Sequence, residues 1–206
     1  MGMKSKRARP SASIDTRAAV EASASGGGER RRAERRFLVV FLVVAGGLSL
    51  AYFFPWPAGG PVDVASSAYL HVYAKAAGLA ISLFDPRARV FGQEIVGGFA
   101  LRIVRDCDAM EANILYGAAV VAFSASWKQR GLGLGLGLLA IGVANVLRIV
   151  SLYLIGARWP SVFDTAHREI APLAIVSVAL FAFILWTSWT TGGTTRGAAS
   201  TSHAAR

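Results

Sequence analysis

The chain has 206 residues, 54% hydrophobic and 17% charged, with a formal net charge of +10 and a mean hydropathy of +0.47. That is too apolar for an ordinary soluble domain, and the apolar residues gather in runs longer than a buried soluble helix needs, so a small bundle of membrane spans is expected. The charge alone would suggest nucleic-acid binding. However, residues 1–36 hold ten Lys or Arg against four acids, so more than half of the excess sits at one end and no nucleic-acid partner is expected. Cys107 is the single cysteine, which excludes an intrachain disulfide, a CxxC redox pair and a zinc ribbon.

Residues 1–29 are rich in Ser, Ala, Gly and Arg and contain no aromatic residue, so burial cannot offset the entropy of ordering them. With the arginines that follow, residues 1–36 are expected to form a disordered basic cytoplasmic tail. Lys6 stands where a myristoylation pattern needs Ser or Thr, so no lipid anchor is expected. The run RRRAERR, from Arg30 to Arg36, leads directly into FLVVFLVVAGGLSLAYFFPWP. This predicts a first transmembrane helix over 37–55, basic end in the cytoplasm and stopped by Pro57. Arg35-Arg36-Phe37-Leu38 faintly resembles a twin-arginine signal. No small-x-small junction leads from it into a soluble domain, and an uncleaved anchor is expected.

Residues 64–84 can form a helix of spanning length, but His71 and Lys75 lie four apart on one face, which predicts an amphipathic helix outside the hydrocarbon. Asp85-Pro86-Arg87 stops it. From Val90 to Val104, β-branched and aromatic residues mix with three glycines, predicting a short β-hairpin that turns at Gly97-Gly98. Further spans are predicted from Met110 to about Ser126, from Gly131 to about Ile155, and from Ile170 to about Trp189, with Trp186 and Trp189 suited to an interface. In GLGLGLG, residues 131–137, the GxxxxGK pattern of a phosphate loop is missing. Gly133 and Gly137, four apart, instead predict close helix packing.

The expected fold class is therefore an all-α polytopic membrane protein with four transmembrane helices, an external amphipathic helix and a short β-hairpin. Residues 37–190 would form the membrane domain, in contact with membrane lipid, and 191–206 a second disordered cytoplasmic tail. Parity supports the count. With the amino terminus inside, Lys128, Arg130, Arg196 and Arg206 fall inside, while the external segment from Trp56 to Met110 balances five basic residues with five acids.

In this topology Cys107, Arg148 and His167 reach the external interface together, one before the second span, one near the end of the third and one before the fourth. Asp108 and Glu111 have the spacing of an acidic capping box. Cys107 would then sit at the positive end of a helix, which favours its thiolate, opposed by the charges of Asp106, Asp108 and Glu111. Asn145 and Arg148 share a helical face in an apolar segment, where a charged residue costs a few kcal/mol to insert and marks a functional site. His167 can move a proton near neutral pH, with Asp164 or Glu169 available to orient it. His71 is a weaker catalytic candidate and His203 lies on the tail. Three histidines so dispersed make a metal site unexpected, and no cofactor is expected.

Taken singly, each residue has a plainer reading: Cys107 a small hydrophobe, Arg148 a snorkelling side chain with Asn145 as a structural hydrogen bonder, His167 an idle interfacial residue. Together they suggest thiol acyl transfer, in which Cys107 attacks a peptide carbonyl, Arg148 stabilises the oxyanion and His167 moves a proton.

DCDAMEANILYGAAVVAFSASWKQRGLGLGLGLLAIGVANVLRIVSLYLIG, followed by FDTAHREIAP, resembles the exosortase and archaeosortase family, closest to the exosortase H type, over roughly residues 37–190. The shared order is a Cys before one span, NxxR near the end of the next, and His before the last, met here by Cys107, Asn145 to Arg148, and His167. The resemblance implies a multi-pass enzyme of the bacterial inner membrane, with an extracytoplasmic site. Such an enzyme cleaves carboxyl-terminal sorting signals of exported proteins through an acyl-thioester. Cys107 would be its nucleophile, Arg148 its proton donor or oxyanion group, and His167 a supporting group. One departure is that Cys107-Asp108-Ala109 ends in Ala where the family commonly has Gly. Two readings compete: a noncatalytic membrane assembly protein in which Arg148 and Asn145 lock the bundle, and a small transporter, which the lack of an internal repeat disfavours.

Overall fold

In the computed structural model, residues 28–192 are described in full except for the side chain of Asp106, and the end helices continue as backbone from Ala12 and to His203. Most of the two expected tails, and His203 as a side chain, lie outside the described residues. The chain runs as α1 (Ala12–Phe53), α2 (Pro61–Ile81), strands β1 (Arg89–Phe91), β2 (Glu94–Val96) and β3 (Ala100–Arg102), then α3 (Met110–Ala122) and α4 (Trp127–Arg158). One helical turn, α5 (Phe163–Thr165), and a π-helical turn (Ala166–Ile170) lead into α6 (Ala171–His203).

Three helices are long and apolar enough to cross a membrane: Gly28–Phe53, Trp127–Arg158 and Pro160–Gly192. They contain the first, third and fourth expected spans, and they make this a membrane protein by length and composition. The arginine run Arg30–Arg36, assigned above to a tail, continues α1 as helix. The remaining expected span is shorter than foreseen. α3 has 13 residues, about 20 Å at 1.5 Å per residue, against a hydrocarbon core of about 30 Å. It stops because Phe123 turns to extended backbone, φ −70° and ψ 140°. The freed Phe123 carbonyl accepts two N–H groups of Arg130, at 3.2 and 2.9 Å. Ser126 then caps α4 in a capping box: its hydroxyl accepts the Gln129 N–H at 3.4 Å, and its own N–H donates to Gln129 Oε1 at 3.0 Å.

Small residues set how closely the helices approach. A Cβ on Gly133 would collide with the Trp186 ring, and one on Gly137 with the Tyr116 ring. Tyr116 donates its hydroxyl to the Gly133 carbonyl at 2.7 Å, and Trp186 its indole N–H to the Gln129 carbonyl at 3.0 Å. The glycine run is thus a packing surface for α3 and α6, as its spacing predicts. α1 lies against α3 through Ala45, Ile114 and Ala118.

α2 buries Leu70, Tyr73, Ala74, Ala77, Gly78 and Ile81, the stripe of a helix packed on one side, and it is not among the helices able to cross. Its outward face carries Lys75 together with exposed Val72 and Leu79, so it is less polar than an amphipathic reading implies. The expected hairpin is one half of a three-stranded antiparallel sheet, β1-β2-β3. Gly97 and Gly98 lie in the β2–β3 turn as expected. The sequence reading missed the other turn, at Gly92-Gln93, where Phe91 pairs with Glu94 and Gly92 has φ +61°, a conformation glycine adopts freely. Ile95 and Ile103, 0% and 1% exposed, join the core beneath α2 and α4 with Tyr153.

Candidate active site

Cys107 ends a 3-10 turn, Arg105–Cys107, immediately before α3. The acidic capping box is not what forms there. The N-cap is Ala109, at φ 57° and ψ 20° in the left-handed region, with no side-chain cap. Asp108 lies one residue further out, and its Oδ1 accepts the Met110 N–H at 2.9 Å. The other carboxylate oxygen accepts the hydroxyl of Tyr52 from the end of α1, and Tyr69 of α2 donates to the Asp108 carbonyl at 3.4 Å. A carboxylate only 2% exposed needs such donors. Burial first, and then the hydrogen bond to Tyr73, push the Tyr69 phenol above its usual range, so at neutral pH it stays a neutral donor. Ala109 stands at the position where the resembling family commonly has glycine, and it holds the backbone conformation glycine favours.

Cys107 is buried, 6% exposed, with its Sγ 4.0 Å from His167 Nε2. The two residues are 60 positions apart in the chain. Asn145, 0% exposed, donates its Nδ2 to the Cys107 carbonyl at 3.0 Å, which ties the turn to α4. One helical turn on, Arg148 presents a buried Nε with no hydrogen-bond partner among the described residues. Arg148 and His167 line a single cleft of 750 Å³ with Asp108 and Ala109, the neighbours of Cys107. The four expected site residues, Cys107, Asn145, Arg148 and His167, are thus brought together.

His167 lies in the π-helical turn, a feature that often marks functional sites. Its ring stacks on Phe163, centroids 5.7 Å apart and planes 6° apart. Of the two acids expected near it, Asp164 accepts the Nε of Arg168 at 2.7 Å and Glu169 is exposed. Asp106, one of the acids expected to oppose a thiolate, lies outside the described side chains. His71 is away from the cleft, its Nδ1 2.6 Å from the Gly92 carbonyl, where it fixes the β1–β2 turn on α2.

The sequence reading missed Tyr52, Tyr69 and Phe163. It also missed Arg105, which reaches Asp63 at 3.4 Å and Ser66 at 3.2 Å to hold the first turn of α2 beside the cleft. Position at span ends was the only available signal for Tyr52, and it does not say which partner a tyrosine meets.

A second polar knot supports the site from the side. Asp85 accepts N–H groups of Gly98 at 2.7 Å and Arg87 at 3.1 Å, the Tyr153 hydroxyl at 2.8 Å and the Arg87 guanidinium at 3.2 Å. These donors, the Gly98 N–H foremost, hold its carboxyl well below the usual carboxylate range. They also join the turn after α2, the β2–β3 turn and the end of α4.

A thiol beside an imidazole, with a guanidinium on the same cleft, is equipped for nucleophilic attack on a carbonyl, proton transfer and oxyanion stabilisation. Comparison of the chain with protein-family models, with curated proteins and with solved structures finds no match.

Proposed function

We propose that this protein is a membrane cysteine peptidase or transpeptidase of the exosortase kind, which cleaves carboxyl-terminal sorting signals of exported proteins through an acyl-thioester. The observation that carries this reading is that the Cys107 sulfur lies 4.0 Å from His167, which lines one cleft with Arg148 and with Asp108 beside Cys107. The Cys107 thiol gives its proton to His167 Nε2, and the sulfur attacks the scissile carbonyl carbon. The oxyanion takes hydrogen bonds from Arg148, whose buried Nε otherwise lacks an acceptor. Collapse breaks the C–N bond, the leaving amine takes the proton back, and water or an external amine then releases the acyl group from sulfur.

Four crossings, with the site outside the inner membrane, fit this chemistry. Tyr52 at the end of α1 meets Asp108 before α3, whereas Arg36 shares a cavity with Phe123 and Arg130 at the other end. α1 and α4 therefore run in the same direction, and α3 with residues 123–126 has to return the chain between them. That non-helical stretch adds up to about 13 Å to the reach of a short helix. Basic residues Arg36 and Arg130 then fall inside, as the positive-inside rule prefers.

The test is Cys107→Ala in full-length protein, assayed for processing of a tail-bearing exported substrate. Loss of processing with normal membrane insertion is expected. Unchanged processing would sink the acyl-enzyme reading and leave membrane assembly as the better account.

A further inference from the structure

At the end of the bundle away from Cys107, a second cavity of 430 Å³ is lined by Arg36 of α1, Phe123, Ser124 and Ser126 of the α3–α4 connection, Arg130 of α4 and Thr190 of α6. None of its described lining residues is acidic, so two guanidinium groups border one space without a counter-charge among the described residues. Arg36 is exposed and has no ion pair or hydrogen bond among the described residues. The nearest acid in sequence, Glu34, is engaged by Arg30 at 3.1 Å. Arg130 commits Nε and Nη2 to the Phe123 carbonyl, which fixes the side chain but leaves Nη1 and the whole positive charge for another acceptor. Side-chain entropy already lost in folding is not lost again on binding.

The position of the cavity narrows the ligand. Beyond Arg36 the chain passes at once to the apolar Phe37–Val44 stretch, and Phe123, which lines the cavity, packs its ring against those of Phe183 and Trp186. Arginines over an aromatic layer at the end of apolar helices belong at headgroup depth. There, guanidinium groups meet phosphate oxygens, which they bind by paired, charge-assisted hydrogen bonds.

We propose that this cavity is a phosphate-binding site between Arg36 and Arg130, its ligand carried in the membrane by an anionic phospholipid headgroup. The hydroxyl of Ser124 adds an uncharged donor. A choline headgroup would bring a further cation to a space that already has two, so anionic lipid is selected over zwitterionic. A bound phosphate would join α1 to the α3–α4 turn, the point at which α3 ends short. The proposal does not depend on acyl transfer, and its readout is binding.

The experiment uses full-length protein in an uncharged maltoside detergent, titrated separately with phosphatidylglycerol, phosphatidylcholine and inorganic phosphate. Thermal midpoint and native mass spectrometry are the readouts. Arg36→Gln is the main variant because Arg36 has no other partner among the described residues, whereas Arg130→Gln also strips the Phe123 carbonyl. Arg32→Gln, on the same helix but outside the cavity, controls for diffuse attraction by the arginine run.

Phosphatidylglycerol is expected to bind saturably, about fivefold more weakly to Arg36→Gln and unchanged in Arg32→Gln. Protection by inorganic phosphate that Arg36→Gln abolishes would uphold the phosphate site and identify water-borne phosphate as its ligand. Equal loss in both variants, no loss in Arg36→Gln, or equal binding of phosphatidylcholine would overturn the proposal.

Discussion

Ala109 has φ 57°, a conformation that costs an L-residue with a Cβ about 1 kcal/mol relative to glycine. It is the only described non-glycine residue at positive φ, and it sits between the Cys107-Asp108 pair and the first turn of α3. Ala109→Gly is therefore expected to stabilise the protein by up to about 1 kcal/mol. A rise in thermal midpoint in detergent would show it, and a fall would mean that the methyl group packs productively. The sequence already pointed to this residue, since Cys107-Asp108-Ala109 lacks the glycine that the resembling family commonly has at the third position. It did not reveal that the turn keeps the glycine conformation, because φ at one residue is set by how the flanking elements are anchored. Here those anchors are Tyr52 and Met110 on Asp108, and Asn145 on the Cys107 carbonyl. Asn145 and Arg148 were legible for a different reason: polar groups in an apolar helix stand out against the cost of inserting them.

At the scale of elements, the Asp85 knot joins three segments that local pattern reads as separate. The Asp85 pKa is held down in the fold and lies near 3.9 in an unfolded chain. The unfolded state therefore takes up a proton first as pH falls. Stabilisation by Asp85 is full above about pH 5 and is lost as pH drops through 4 toward the folded pKa. Asp85→Asn should lower the thermal midpoint at pH 7, and the gap to the unsubstituted protein should narrow between pH 4 and pH 3. Midpoints from pH 3 to 7 test this; a gap that stays constant across that range would refute it. The sequence disclosed α2, the β2–β3 turn and the packing role of Gly133 and Gly137 through periodicity and glycine spacing. It missed the β1–β2 turn at Gly92-Gln93 because a lone glycine in a short run is a weak signal until its strands are paired. The early stop of α3 was also hidden, since apolar content extends through Phe123 and only Arg130, capturing the Phe123 carbonyl, shows where the helix ends.

For the whole molecule, the direction of α3 decides the topology. In a Cys107→Ala background, Ser66→Cys and Ser124→Cys should be labelled by an impermeant thiol reagent from opposite sides of the membrane, Ser124→Cys only from the side of Arg36. Labelling of both from one side would remove the proposed fourth crossing and, with it, the proposed external placement of the site.

What the sequence determined by itself was the apolar scaffold, the basic end of α1, and the order of Cys107, Arg148 and His167 along helices of alternating direction. Partitioning into hydrocarbon is nearly additive over a local run, so composition is enough to read it. The tertiary structure decided how that order becomes a site: a sulfur 4.0 Å from an imidazole 60 residues away, a carboxylate held by a tyrosine 56 residues earlier, and a carbonyl held by Asn145. Contacts at such separations depend on how whole helices pack, and the glycines, tyrosines and short α3 that set that packing carry their meaning only once the partners are in place.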